Sequence, residues 1–214
     1  MARELRAVLF DLDGTLIDSI GLIIASFRHA FAEFEGPRPD EAELIASIGT
    51  PLVASLSKHA RSPEELQWLR DRYRAYQVEH HDNMVKAFPG AVEMVTALRA
   101  RGLATAIVTS KGVEFARRGL AISGFGDAFP LLVGIESTVN HKPHPEPVLF
   151  ALAQLGVEPE QAVFIGDSPH DIAAGNAAGV RSIAVTWGPF TRAELAVAEP
   201  SAYCDEVAGL LAII

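Results

Sequence analysis

Cysteine is all but missing. Cys204 is the sole one, so no intramolecular disulfide can form, and its thiol is expected as a buried structural group rather than a nucleophile. Long apolar runs are missing too. No stretch approaches the ~18 consecutive apolar residues of a membrane-spanning helix. Met1-Ala2-Arg3-Glu4-Leu5-Arg6 runs straight toward the first strand without the apolar stretch or small-residue cleavage site of a signal peptide. A cytoplasmic protein is expected, without a membrane partner. Basic clusters are also absent. Lys and Arg number 18 against 27 Asp and Glu, for a formal net charge of -9. Such a chain is a poor ligand for nucleic acid or an anionic bilayer. For an anionic substrate the same background is unfavourable, which makes local cations important. No internal repeat or low-complexity segment occurs.

Apolar residues make up 49% of the 214 positions, enough to bury a substantial core in one large domain or one domain carrying a small insertion. From Ile17 to about Val85 the pattern is helical. Ile20, Ile23, Ile24, Phe27, Ala30, Phe31 and Phe34 follow i, i+3, i+4 spacing up to Gly36-Pro37. A second helix is expected over Glu41 to Ser47, and a third opens with Pro51 at its first position. A fourth starts with Ser62 as cap and Pro63 at its first position, and runs to about His81. No strand is evident in this block. After Phe88-Pro89-Gly90 helices alternate with short apolar strands, and the last segment reads as a helix, an edge strand near Ala202-Tyr203 and a final helix. The expected fold class is α/β, a doubly wound parallel sheet with right-handed crossovers and an inserted helical bundle. The expected domains are a core of residues 1–15 and 88–214 and an insertion of residues 16–87.

The most informative segment is Val8-Leu9-Phe10-Asp11-Leu12-Asp13-Gly14-Thr15. A buried strand ends in two carboxylates two residues apart, which an extended backbone points to one side. Two acids so close need a bound cation, a shared proton or a basic side chain. The later strand ends and helix starts add Thr109-Ser110-Lys111-Gly112, an anion site at a helix start, then Lys142, then Gly166-Asp167 with Asp171. Carboxylates, hydroxyls and a lysine on one sheet rim suit a hard divalent cation together with a phosphate.

These four blocks resemble, in order and spacing, the four motifs of the haloacid dehalogenase-like hydrolases: Asp11-x-Asp13-x-Thr15, then Thr109 or Ser110, then Lys142, then Gly166-Asp167-x-x-x-Asp171. The resemblance covers essentially the whole chain, and the insertion is similar to the family's small helical cap. It implies that Asp11 attacks phosphorus and carries an aspartyl-phosphate. Asp13 would act as general acid and base. Thr109, Ser110 and Lys142 would hold the phosphoryl group. Mg²⁺ would be bound through Asp11, the Asp13 carbonyl and Asp167, supported by Asp171. An acid at position 13 departs from the family's dehalogenases and phosphonate hydrolases, and Ile23, where the sugar-phosphate mutases place a histidine, departs from those. Finer segments, among them Ile48-Gly49-Thr50-Pro51-Leu52 and Lys142-Pro143-His144-Pro145, resemble the branch of phosphoglycolate phosphatases and inorganic pyrophosphatases. His144 stands there where an aspartate is usual.

The implied activity is hydrolysis of a small phosphate by a monomer or homodimer. Alternatives are a sugar-phosphate phosphatase of the same family and a non-catalytic phospho-aspartate switch of receiver type. Substrate specificity is expected from the cap: Thr50 in a turn that closes over the site, and Arg28 and His29 on the first cap helix, with plain surface charge as the competing reading for those two. His80-His81-Asp82 resembles a metal cluster, but adjacent histidines on a helix point apart, and a solvated helix end is expected.

Overall fold

The computed structural model describes residues 4–214, so the expectation drawn on Met1, Ala2 and Arg3 lies outside the described residues. The chain opens with β1 (Ala7–Phe10) and β2 (Ile17–Asp18), followed by α1 (Ile20–Phe31), α2 (Glu41–Ala46), α3 (Leu52–Ser57), α4 (Pro63–Met84) and β3 (Lys86–Ala87). It continues through α5 (Ala91–Ala100), β4 (Ala104–Val108), α6 (Val113–Ile122), β5 (Leu131–Val133) and α7 (Glu146–Leu155). Then come β6 (Ala162–Gly166), α8 (Pro169–Ala177), β7 (Arg181–Val185), α9 (Arg192–Ala196), β8 (Ala202–Cys204) and α10 (Leu210–Ile213).

Six strands form one sheet in the order β5-β4-β1-β6-β7-β8, and every pairing in it is parallel. All four residues of β1 are inaccessible to solvent, as a central strand covered on both faces requires. The twofold alternation of a strand divides them. Ala7 and Leu9 face Val148, Ala151 and Leu152 of α7 and Ala174 of α8. Val8 and Phe10 face Met94, Val95 and Leu98 of α5, Leu120 of α6 and Leu210 of α10. The order reverses beside β1, with β4 on one side and β6 on the other. That switch point opens a crevice at the carboxyl ends of the strands, where sheets of this kind bind ligands.

The helices between β2 and β3 pack around a cluster of their own, built from Phe27, Phe31, Phe34, Leu44, Leu56 and Leu69. Asp40 and Glu43 form a capping box at the start of α2, and Ser62 accepts from the Glu65 N–H at the start of α4, satisfying backbone donors that a helix leaves free. α1 stops at Phe31, short of the periodic Phe34, yet Phe34 still packs edge-on against Phe31. Pro51 precedes α3 as its cap, not its first helical residue. The expectation of no strand in this block is corrected: β2 and β3 pair antiparallel, Ile17 with Ala87 and Asp18 with Lys86. Two-residue strands carry no readable periodicity, but they tie together the two ends of the helical insertion. Ile20, Ile23, Ile24 and Ile48 of the insertion also pack with Ile172, Phe190 and Leu195 of the core. Among the described residues no helix is long and apolar enough to cross a membrane.

Candidate active site

Asp11 follows β1 directly, and its N–H donates to the Ile165 carbonyl of β6 at 2.8 Å. The chain then turns at Gly14, whose φ of 85° lies in the left-handed region. A Cβ at Gly14 would run into the Asp167 carboxylate, so glycine lets the β1 loop close onto the β6 loop. Thr15 completes that contact, its hydroxyl donating to Asp167 Oδ1 at 2.6 Å. Asp171 sits in the first turn of α8, where Ser168 donates from both its N–H and its hydroxyl to Asp171 Oδ2 at 3.0 and 2.6 Å. The capping box that starts this helix therefore also aims the other Asp171 oxygen inward.

Lys142 is buried beneath these acids. Its Nζ donates to Asp11 Oδ1 at 2.7 Å, Asp171 Oδ1 at 2.5 Å and the Val108 carbonyl at 3.1 Å. Burial works against charge on this ammonium, but Asp11 and Asp171 outweigh it and hold Lys142 protonated. One lysine does not balance three acids. Asp11, Asp167 and Asp171 each place a carboxylate oxygen within 4.8 Å of the others. Burial pushes Asp11 up to about 7 against the pull of Lys142, with Asp171 and Asp13 adding to the rise. Asp167 is raised well above the usual carboxylate range, by burial first and then by Asp11 and Asp171. Asp167 Oδ2 is buried with no hydrogen-bond partner among the described residues, an expensive state for a carboxylate oxygen. A hard divalent cation such as Mg²⁺ fits this donor set, since it takes oxygen ligands and offsets the excess charge. Asp11 and Asp167 are free to ligate it, whereas both Asp171 oxygens already accept hydrogen bonds.

Asp13 stands outside that cluster. Its Oδ1 accepts from Lys111 Nζ at 2.5 Å and from the Ser19 hydroxyl at 2.5 Å. In the sequence Lys111 is one residue of the Thr109-Ser110-Lys111-Gly112 block with no role of its own. The pairing joins residues 98 positions apart, and only the convergence of two strand ends reveals it. The expected anion site at the start of α6 is partly taken by the chain itself, because Glu136 Oε2 accepts from the Val113 N–H at 3.0 Å. The Ser110 hydroxyl donates across to the Gly49 carbonyl of the insertion at 2.7 Å, and Thr109 Oγ1 accepts from the Lys111 N–H at 3.2 Å.

A cleft of about 550 Å³ lies between core and insertion, lined by Asp11, Asp13, Thr109, Ser110 and Lys111 below and by Thr50, Tyr73, Arg74 and Gln77 above. Thr50 reaches it from the expected turn, with its hydroxyl held by the Ser47 carbonyl and Ser55 Oγ, each at 2.6 Å. Arg28 and His29 are not brought there. Arg28 pairs with Glu41 at 2.9 Å on the surface, and His29 packs against Tyr76, because both lie on the side of α1 that turns from the cleft. The solvated reading of His80-His81-Asp82 is corrected at His81. This ring is inaccessible to solvent, its Nδ1 lies 2.9 Å from Asp82 Oδ1, and Asp82 is held by Arg118 of α6 at 2.8 and 2.9 Å. Burial keeps His81 below the usual histidine range. His144 Nδ1 accepts from the Glu146 N–H at 3.2 Å, just ahead of α7. Arg74, Tyr73 and Gln77 complete the cleft wall. Their signal in the sequence was weak, because one face of a long polar helix looks like any solvated face.

Comparison with known proteins agrees with this architecture. A pyrophosphatase PpaX of Bacillus cereus is 36% identical over 99% of this chain and 97% of its own length. The pyrophosphatase PpaX of Halalkalibacterium halodurans is 38% identical over 86% of this chain and 85% of its own. The crystal structure of a predicted phosphoglycolate phosphatase from Haemophilus somnus superposes with a TM-score of 0.88 at 26% identity, covering 100% of this chain and 99% of that one. The haloacid dehalogenase-like hydrolase model matches residues 8–185, which spans β1 to β7 with the insertion and sets aside the non-catalytic switch. By its motifs, its sheet and this match, the chain belongs to the haloacid dehalogenase-like hydrolase family.

Proposed function

We propose that this hydrolase is a Mg²⁺-dependent phosphohydrolase acting on a small phosphate, a pyrophosphate or a phosphoglycolate-type monoester, through an aspartyl-phosphate on Asp11. The carrying observation is the placement of Asp11. Its carboxylate borders the cleft, is gripped from below by Lys142, and shares the cleft with a second acid two residues on.

In this reading an Asp11 oxygen attacks phosphorus and the bond to the leaving oxygen breaks. Asp13 donates a proton to that oxygen, then takes one from the water that cleaves the acyl phosphate. Splitting one displacement into two is what a carboxylate nucleophile offers. Lys142 draws Asp11 toward its ionised form, partly offsetting burial, and orients it. Lys111 holds Asp13 in place at 2.5 Å. Thr109 and Ser110 border the cleft where the phosphoryl oxygens would lie. Mg²⁺, held by Asp11, Asp167 and the Asp13 carbonyl, would supply the positive charge that a transferring phosphoryl group requires. The names of the PpaX relatives and of the Haemophilus neighbour support pyrophosphate and phosphoglycolate as the substrates to try first.

The test is a panel of small phosphates ranked by kcat/KM, with Mg²⁺ and with excess chelator. Pyrophosphate or phosphoglycolate should lead, chelator should abolish turnover, and Asp11→Asn should remove it while leaving a folded protein. Full activity in chelator, or a folded Asp11→Asn protein with wild-type turnover, would overturn the proposal.

A further inference from the structure

Most charged groups lining the cleft are already committed. Asp11 is paired with Lys142 and Asp13 with Lys111, and Glu136 accepts from the start of α6. Arg74 differs. It lines the cleft from α4, and among the described residues no ion pair or hydrogen bond engages its guanidinium. Its neighbour Arg72 is by contrast paired with Glu33 at 3.2 Å and stacked over Trp68. The position is built in. Tyr73, Arg74, Gln77 and Val78 all line the cleft, which the i, i+3, i+4 spacing of a helix makes one continuous face. Gln77 is pinned beneath by its hydrogen bond to Ser26 Oγ at 3.1 Å, and Tyr73 by its edge contact with Phe27. The helix therefore presents Arg74 from a fixed wall.

Phosphoryl transfer fixes the direction of the leaving group, because attacking and leaving oxygens lie roughly in line through phosphorus. With Asp11 attacking from the core, the leaving group points toward the insertion. We infer that Arg74 is the cation that binds a negatively charged leaving group, so the enzyme selects phosphates whose leaving group is itself an anion, a second phosphate or a carboxylate, over phosphates of neutral alcohols and sugars. This rests on the phosphohydrolase reading above. A guanidinium presents a planar fork that matches either anion with two parallel hydrogen bonds. In a chain of net charge -9, an uncommitted arginine at that wall offsets a repulsive field where the anion must sit.

The experiment compares wild type with Arg74→Met and Arg74→Lys. kcat/KM is measured for pyrophosphate, phosphoglycolate and p-nitrophenyl phosphate. Binding of methylenediphosphonate, a non-hydrolysable diphosphate, is measured by calorimetry. In Arg74→Met the ratio of kcat/KM for pyrophosphate to that for the aryl phosphate should fall by about tenfold or more, and methylenediphosphonate should bind weaker by a similar factor. Arg74→Lys should recover part of both, since it restores charge without the fork. An unchanged ratio and unchanged binding would overturn the inference. So would equal loss on all three substrates, which would assign Arg74 a purely structural role in α4. A wild-type protein that hydrolyses no phosphate would sink the functional reading instead, and the binding measurement would then decide the role of Arg74.

Discussion

Replacing Lys142 by Met removes one charge from the most crowded point of the molecule. The ammonium spends its three protons on Asp11, Asp171 and the Val108 carbonyl, at 2.7, 2.5 and 3.1 Å. Its side chain is 1% exposed, and those of Asp11 and Asp171 are 6% and 1% exposed. Met keeps nearly the same length, so packing loss is small and the change is mainly electrostatic. Two carboxylates then lose their shared cation with little access to water. Breaking a buried pair by removing one partner costs about 3–5 kcal/mol, out of a total stability of about 5–15 kcal/mol. For a chain of this size each kcal/mol moves Tm by about 2–4 °C, so the drop should be roughly 6–20 °C at pH 7.5.

Protonation limits that loss. Burial already lifts Asp11 to about 7 with Lys142 in place, and without the lysine it rises further. A carboxyl raised above its unfolded value near 3.8 stabilises the fold fully only below that value, and the contribution disappears as pH climbs through the folded pKa. The gap between variant and wild type should therefore be largest at pH 7.5 and shrink at pH 5. Turnover should fall by about three orders of magnitude, because a protonated Asp11 does not attack. Thermal and urea unfolding in chelator at both pH values, with initial rates on pyrophosphate in Mg²⁺, measures each quantity. Adding Asp171→Asn to Lys142→Met should restore part of the lost Tm. A variant as stable as wild type at pH 7.5, or a gap that does not change with pH, would refute the reasoning.

Asp11→Asn in chelator should be more stable than wild type at pH 7.5, since it removes a raised carboxylate, and the gain should fade toward pH 4; a gain that grows in acid would contradict the sign. Gly14→Ala should remove both turnover and the Mg²⁺-dependent rise in Tm, because the residue sits at φ 85° with Asp167 where its Cβ would go; wild-type behaviour in both assays would count against the close approach. Leu69→Ala, at a fully buried position in the cluster of the insertion, should cost about 2–5 kcal/mol in urea unfolding, and a loss within error would mean that α4 is not anchored there. Thr50→Val should reorder the substrates more than it slows p-nitrophenyl phosphate, and uniform loss would give the turn a purely structural role.

Much of this molecule is written locally. The apolar run of β1 with Asp11 and Asp13 behind it, the glycines that end α5 and α7, and the Ser62-Pro63 start of α4 are signals within a few residues. A strand or helix answers mainly to its own neighbours for periodicity and caps. The alternation after Phe88 sufficed to expect a parallel sheet, and a parallel sheet gathers its strand ends on one rim, where Asp11, Thr109, Lys142 and Asp167 are found. What only the tertiary structure decided depends on distance between elements, which no spacing encodes. The two-residue strands β2 and β3 exist through each other, with too few residues for a pattern. Lys111 is one more charge after a strand until Asp13, 98 positions earlier, is set against it at 2.5 Å. His81 is a helix-end histidine until α6 covers it, and Arg28 is a cleft candidate until α1 turns it toward Glu41. Periodicity states which face of a helix is buried; what that face meets, and whether a charge on it finds a partner or stands free at a cleft as Arg74 does, is fixed when the insertion packs over the sheet.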